Sequence, residues 1–436
     1  MKIKLNFREM MSLGFMAFAL FLGAGNIIFP PMIGMQAGSH VWTAVAGFML
    51  TGVGLPVIAV IALARSGGEL DEIISPVGKL AGSILIIACY LCIGPLFASP
   101  RTATVSYELA VAPFTEHSDT ALYIYSLIYF SVAALVALYP GRLLESVGQF
   151  LAPLKIIALI ILAVTVFMAP DLPLKLPRAE YAASPFSGGL INGYLTMDTL
   201  AGLAFGLVVV NAIRSRGLNK REDITRYTAR AGIMAGVGLA AVYISLFILG
   251  VKSAELVPDA KNGADILQAF VSHTFGSKGV FFLGILITLA CIVTAIGLTC
   301  SCASYFSSMT GFGYRPLVVF FAAVSYAISC VGLDTLIHIS IPVLIAVYPP
   351  FVALIMAGFF KEKLRNPVKV IAPATGIAFV CGTFDGLGAA KYTMLVPNFY
   401  RHLPMSEQQM AWIMPTILTF LLSLAVEKLT TVRSAV

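Results

Sequence analysis

Apolar residues run along this chain in long stretches, divided by short clusters of charged and turn-forming residues. A helix needs about 20 predominantly apolar residues to cross a bilayer. Twelve stretches qualify, near residues 9–36, 40–64, 78–111, 121–139, 146–168, 188–213, 227–250, 279–308, 316–332, 336–359, 368–386 and 408–427. Between them lie turn formers such as Ser66-Gly67-Gly68, Pro140-Gly141-Arg142 and Lys361-Glu362-Lys363. The pattern predicts an all-α membrane protein of about 12 transmembrane helices, forming one transmembrane domain over residues 1–436. The apolar run from Met10 to Met35 exceeds the roughly 7–15 residues of a signal-peptide core, so it reads as a retained first span.

Composition agrees. Apolar residues make up 59% of the chain and charged residues 11%, with a mean hydropathy of +0.92; soluble domains average about 25% charged residues. The net charge of +7 sits in short loops rather than on one face, which argues topology and against nucleic acid. With both termini cytoplasmic, the inner loops collect Arg65, Arg142, Arg214, Arg216, Lys220, Arg221, Lys361 and Lys363, whereas the outer loops hold fewer, such as Lys175, Lys252 and Lys391. That bias fits an even number of spans in a bacterial inner membrane, with lipid as the main solvent. All seven cysteines fall within apolar runs and read as small buried hydrophobes.

Short matches recur in the two halves. Ala46-Gly47-Phe48-Met49 and Gly52-Val53-Gly54-Leu55 in span 2 parallel Ala231-Gly232-Ile233-Met234 and Gly236-Val237-Gly238-Leu239 in span 7. Ala88-Cys89 with Ile93-Gly94 in span 3 parallels Ala290-Cys291 with Ile296-Gly297 in span 8, and Pro153 in span 5 parallels Pro342 in span 10. An offset of five spans turns the second copy upside down, the inverted-repeat arrangement of secondary transporters. Residues 9–168 would form the first repeat, 188–359 the second, and 368–427 two additional helices.

In such repeats the first helix of each copy opens near the midplane to make the site. In span 1, Gly23-Ala24-Gly25 can break the helix, after which Asn26 starts a second half-helix. Its amides would suit a carboxylate, and carbonyls near Ala19 and Leu22 a small cation. The same Gly-x-Gly is also compatible with a packing notch. In span 6, Asp198 stands within the apolar run containing Thr199, Ala201, Gly202 and Phe205, with the break expected around Ala201. It receives a substrate ammonium or polarises the break, or else caps the following half-helix at the interface. Span 8 offers Thr294, Thr299 and Ser301, with Thr299 and the Ile296 carbonyl on one face. Arg101 could pair with Glu108. Lys155 could carry a coupling proton or snorkel toward the cytoplasm.

At these positions the sequence resembles the branched-chain amino acid:cation symporter (BrnQ-type) family. The resemblance is carried by Gly14-Phe15-Met16, Gly23-Ala24-Gly25-Asn26-Ile27-Ile28-Phe29-Pro30-Pro31, Gly94-Pro95-Leu96-Phe97-Ala98-Ser99-Pro100-Arg101-Thr102, Leu151-Ala152-Pro153-Leu154-Lys155, Asn192-Gly193-Tyr194-Leu195-Thr196-Met197-Asp198-Thr199 and Pro349-Pro350. It implies a LeuT-like 5+5 inverted repeat with discontinuous helices 1 and 6. It also implies uptake of leucine, isoleucine and valine with Na+ as co-transported ion and no other cofactor. Substrate would be held at Gly23, Ala24, Gly25, Asn26, Asp198, Thr199 and Gly202, with Phe97 and Phe205 lining the pocket beside Tyr90. The cation would bind at Ala19, Leu22 and Thr299, near Ile296 and Ser301. The neighbour of Thr299 is Cys300, where the wider fold often has a second hydroxyl, which leaves proton coupling through Lys155 open. A channel would want a repeated filter motif and an enzyme a His/Asp/Glu cluster within the spans; the chain offers neither, nor a phosphate-binding loop for ATP.

Overall fold

The computed structural model describes residues 5–115, 118–139, 156–170 and 174–433. Among these, all regular structure is helical. Helices α1 (Phe7–Phe21) and α2 (Gly25–Ala37) are the two halves of the first expected span. A capping box starts α1: Asn6 Oδ1 accepts from the Glu9 amide at 2.8 Å, and Glu9 Oε2 accepts from the Asn6 amide at 2.8 Å. The second span is α3 (Val41–Met49) and α4 (Leu55–Arg65), joined through a widened turn at Leu50–Gly54. After α5 (Leu70–Ile74), the third span comprises α6 (Lys79–Leu91) and α7 (Ala98–Ala110). Short α8 (Ala112–Thr115) leads to α9 (Asp119–Ala137), and α10 (Ile156–Met168) is the described part of span 5. Lys155 and Pro153 lie outside the described residues.

The second half opens with α11 (Ala179–Ala183), then α12 (Pro185–Leu195) and α13 (Asp198–Arg214), the halves of span 6, bent by 41°. Span 7 is α14 (Arg221–Lys252). Span 8 belongs to α15 (Gly263–Thr310), which is longer than expected because it takes in a preceding helical segment bent at Gly276 (φ +66°). Helices α16 (Tyr314–Ser329), α17 (Leu333–Gly358), α18 (Pro367–Ala389), α19 (Asn398–Arg401) and α20 (Ile413–Arg433) complete the chain. By length and composition alone, seven described helical stretches could cross a membrane, or eight if the bent pair α12 and α13 is one span. The count falls below twelve partly because breaks divide spans and because α10 and α16 are shorter. Ile128, Leu135, Phe320, Phe379 and Leu422 remain exposed on the outer surfaces of the bundle, where lipid rather than water suits them.

The packing has the exchange symmetry of an inverted repeat. Helices α1 and α2 run along α14, while α13 and α12 run along α4 and α3, so spans 1 and 7 meet as spans 6 and 2 do. Glycines allow both approaches: Gly34 and Gly250 each abut a backbone carbonyl of the other helix (Phe247 and Pro31), and Gly47 and Gly189 do the same with Phe186 and Ala44.

The expected break of span 6 lies earlier than the composition suggested. Ala201 and Gly202 are inside α13, and the Ala201 amide donates to the Met197 carbonyl at 2.9 Å. The chain opens instead at Thr196 and Met197, the latter in the left-handed region at φ 65°. A non-glycine residue there stores of order 1–3 kcal/mol of strain, which the surrounding packing must hold. Span 3 also breaks, at Cys92–Leu96, where Gly94 (φ −88°, ψ −118°) leaves the helix and Pro95 lacks a donor.

At one end of the bundle three ion pairs tie the α4–α6 connection to its neighbours: Arg65–Glu362 (3.3 Å), Arg214–Glu69 (3.2 Å) and Arg221–Glu72 (2.9 Å). Each is partly exposed and contributes roughly 0.2–1 kcal/mol. We expect Glu72→Gln to raise the alkylation rate of a cysteine introduced by Ala62→Cys, which lines the small cavity there, by up to about fivefold. Unchanged labelling would show that this lattice does not hold the end closed.

Candidate functional site

The two breaks face each other. A Cβ placed at Gly25 would lie 3.1 Å from Thr196 Cα and 3.3 Å from the Thr196 carbonyl oxygen. The break in span 1 begins after Phe21; Leu22 leaves the helix at ψ 83°, and α2 restarts at Gly25. Among the described residues, the amides of Ala24, Gly25 and Asn26 and the carbonyls of Phe21 and Leu22 make no backbone hydrogen bond across the gap. They are the orphan groups any helix end leaves, here carried into the protein interior.

Asn26 does more than start the half-helix. Its Oδ1 accepts from the Gly23 amide at 3.0 Å, and its Nδ2 donates to Asp198 Oδ2 at 2.6 Å and to the Tyr243 hydroxyl. Tyr243 in turn donates to Asp198 Oδ2 at 2.8 Å. Asp198 is the first residue of α13 and only 3% exposed, so it is a deeply placed carboxylate rather than an interfacial cap. The N-terminal amides of α13 favour its negative charge. Tyr243, on α14, was missed in the sequence reading; a tyrosine in the middle of an apolar span was the available signal.

A cavity of about 30 Å³ lies between these groups, walled by Gly23, Ala24, Gly25, Asn26, Asp198, Ala201 and Phe205, with Phe21, Ala98, Arg101, Thr102, Thr196, Met197, Thr294 and Leu298. Four expected residues are placed elsewhere. Gly202 packs against Ala59 and Pro56, and the Thr199 hydroxyl donates to the Thr51 carbonyl at 3.3 Å, so both turn toward span 2. Phe97 sits at the span 3 break while Ala98 reaches the cavity. Tyr90 stacks on Tyr305 at 4.4 Å between centroids.

On span 8 it is Thr294 that faces the break, its hydroxyl 3.6 Å from a Cβ placed at Gly23. At about 100° per residue, Ile296 and Thr299 point some 140–160° away from that direction. Ser301 returns to the Thr294 side, but about 10 Å further along the helix. Leu20 meets Gly297, which puts Ala19 between the levels of Thr294 and Ser301. Arg101 does not take Glu108 as its partner: it donates to the Leu195 carbonyl at 2.6 Å and to Ser340 Oγ at 2.8 Å.

Beyond the cavity, separated by Phe29 and Leu195, a vestibule of about 590 Å³ opens at the end of the bundle opposite the ion pairs. Its polar wall includes Gln36, Glu180, Asn192, Lys261, Asn262 and Glu407.

Two adjoining broken helices around a buried polar cavity, in a fold whose halves exchange contacts, define a membrane transporter of the LeuT fold class. The fold matches two solved transporters. Mhp1, a nucleobase-cation-symport-1 family transporter in a closed conformation with bromovinylhydantoin bound, gives a TM-score of 0.57 at 15% identity, over 94% of this chain and 90% of that one. MhsT in complex with L-phenylalanine gives 0.54 at 14% identity, over 95% and 98%.

Residues 6–430 match the family described as "Branched-chain amino acid transport protein", and the chain belongs to that family. It is 51% identical to the "Branched-chain amino acid permease BrnQ" of Escherichia coli (strain K12), covering 97% of this chain and 96% of that protein. It is 52% identical to the "Branched-chain amino acid transport system 3 carrier protein" of Pseudomonas aeruginosa, over 97% of each chain. A permease named BrnQ from Bacillus subtilis is 37% identical over 93% of each.

Proposed function

We propose that this protein imports leucine, isoleucine and valine across a bacterial inner membrane, driven by co-transported Na+. The observation that carries this reading is the pair of contacting helix breaks, bridged by Asn26 and Asp198. Bare amides at Ala24 and Gly25 suit a carboxylate, and Asp198 suits an ammonium. Phe21, Phe205 and Leu298 give the rest of the cavity an apolar wall. Such a wall separates side chains that differ by one methylene by only about 1–3 kcal/mol, so the three branched residues share it. The relatives' names support the same substrate class. At about 30 Å³ the cavity must enlarge to take an amino acid, as alternating access requires. The basic bias of the loops supports both termini being cytoplasmic, with the vestibule outside.

For the cation, the hard oxygen ligands are the carbonyls of Ala19 and Leu22 with the hydroxyl of Thr294, a residue that faces Gly23. Labelled leucine uptake into proteoliposomes is expected to collapse when a Na+ gradient is replaced by choline at constant pH. Thr294→Val should raise the half-saturating Na+ concentration roughly tenfold, about 1.4 kcal/mol, whereas Thr299→Val stays near wild type. Uptake indifferent to Na+ but driven by a pH gradient would replace Na+ by a proton.

A further inference from the structure

Arg101 is among the largest fully buried side chains of the protein, at 1% exposure. It projects from α7, just beyond the break of span 3, into the wall of the cavity that holds the span 1 amides. Its Nη1 donates to the Leu195 carbonyl and its Nη2 to Ser340 Oγ, and its guanidinium carbon lies 5.3 Å from the centre of the Phe29 ring. The buried Nε–H has no acceptor. None of the ion pairs among the described residues involves Arg101.

Asp198 is the complementary case in the same cavity wall. Its Oδ2 is held by neutral donors, Asn26 and Tyr243, and it forms no ion pair with Arg101. The cavity therefore carries one buried cation and one buried anion, each engaged with neutral groups and neither with the other. An uncompensated charge at such depth is costly and is retained where a counter-charge arrives. A zwitterion placed between them supplies both counter-charges at once.

The geometry points to Arg101 as the receptor for the substrate's carboxylate, acting with the amides of Ala24 and Gly25 while Asp198 receives the ammonium. This rests on the amino-acid reading above and deepens it. Phe29 and Leu195, which touch the guanidinium, also line the vestibule, so Arg101 lies one residue layer from it. A guanidinium can hold the Leu195 carbonyl and still present its remaining N–H groups in a planar fork, which a lysine cannot. An amine without a carboxylate would leave Arg101 uncompensated, so the site requires an α-amino acid and not merely an apolar amine.

The test is binding of labelled leucine to the purified full-length protein in nanodiscs, competed by leucinamide, which keeps the ammonium and lacks the carboxylate. Wild type should prefer leucine by about 100-fold or more. Arg101→Gln should lose roughly 10- to 100-fold in leucine affinity, as removal of a charge-assisted hydrogen bond does, with leucinamide unchanged, so that the preference collapses to a few-fold. Ser340→Ala, which removes one neighbour of the guanidinium and keeps its charge, should retain the wild-type preference. Should Arg101→Gln not fold, Arg101→Lys serves, with the preference expected to fall about tenfold. Equal weakening of both ligands in the Gln variant would make Arg101 a brace for the span 6 break and overturn the assignment, and a wild-type preference in either Arg101 variant would overturn it too. Wild-type protein that binds no leucine would instead remove the amino-acid reading itself.

Discussion

Gly25→Val is expected to abolish leucine uptake, reducing the initial rate by more than about 100-fold. A Cβ at residue 25 already meets Thr196 Cα at 3.1 Å and the Thr196 carbonyl at 3.3 Å, and the obstacle is backbone, not a side chain that can swing aside. The added carbons can be accommodated only by pushing the two breaks apart, which displaces the amides of span 1 from Asp198. Overpacking at a tight contact costs about 1–3 kcal/mol, and more where the neighbour cannot relax; a barrier raised by about 3 kcal/mol is already a loss of about 100-fold. Gly376→Val on α18 is the matched control, because nothing lies within 4 Å of a Cβ there; it should transport as wild type. Uptake should be measured in proteoliposomes per mole of folded protein. A Gly25→Val carrier retaining more than a third of the wild-type rate would mean the breaks do not enclose the substrate.

Asp198→Asn should cost about 100- to 1000-fold in kcat/KM for leucine. The substitution keeps the shape of the side chain, and an amide oxygen can still accept from Asn26 and Tyr243, the two donors that now hold Oδ2. What disappears is the negative charge. Removing one partner of a buried ion pair leaves the other uncompensated, at about 3–5 kcal/mol, and here the uncompensated partner would be the substrate's ammonium in the transport cycle. Because the local packing survives, the protein should reach the membrane in normal amounts. A loss smaller than threefold would place the ammonium away from Asp198 and leave the Asn26–Asp198–Tyr243 cluster as a brace between the breaks.

The two variants probe different parts of one device. Gly25 sets the distance between the broken helices, whereas Asp198 sets the charge found between them. Asn26 couples the two, since one amide side chain caps the Gly23 end of the first break and reaches the carboxylate of the second. The carrier can move only if the breaks shift relative to each other.

What the sequence determined is what depends on local chemistry and on the solvent. Apolar runs of about 20 residues with few charges must lie in lipid as helices, because there the backbone can satisfy itself in no other open form; each of the twelve expected spans contains a helix. Gly23 and Gly25 weaken span 1 by their own backbone freedom, so that break was legible where it occurs. The break in span 6 was not, because Met197 has no intrinsic preference for a left-handed conformation and is held there by its surroundings. The orientation of span 8 was equally hidden: composition offers Thr294, Thr299 and Ser301 alike, and only the rotation of α15 against α1 decides that Thr294 meets Gly23. The partners of Arg101 come from residues 94 and 239 positions away, a distance in sequence across which no spacing rule operates. Burial and helix formation follow from each segment's own free energy of transfer, whereas which polar groups meet inside is settled by how the segments pack.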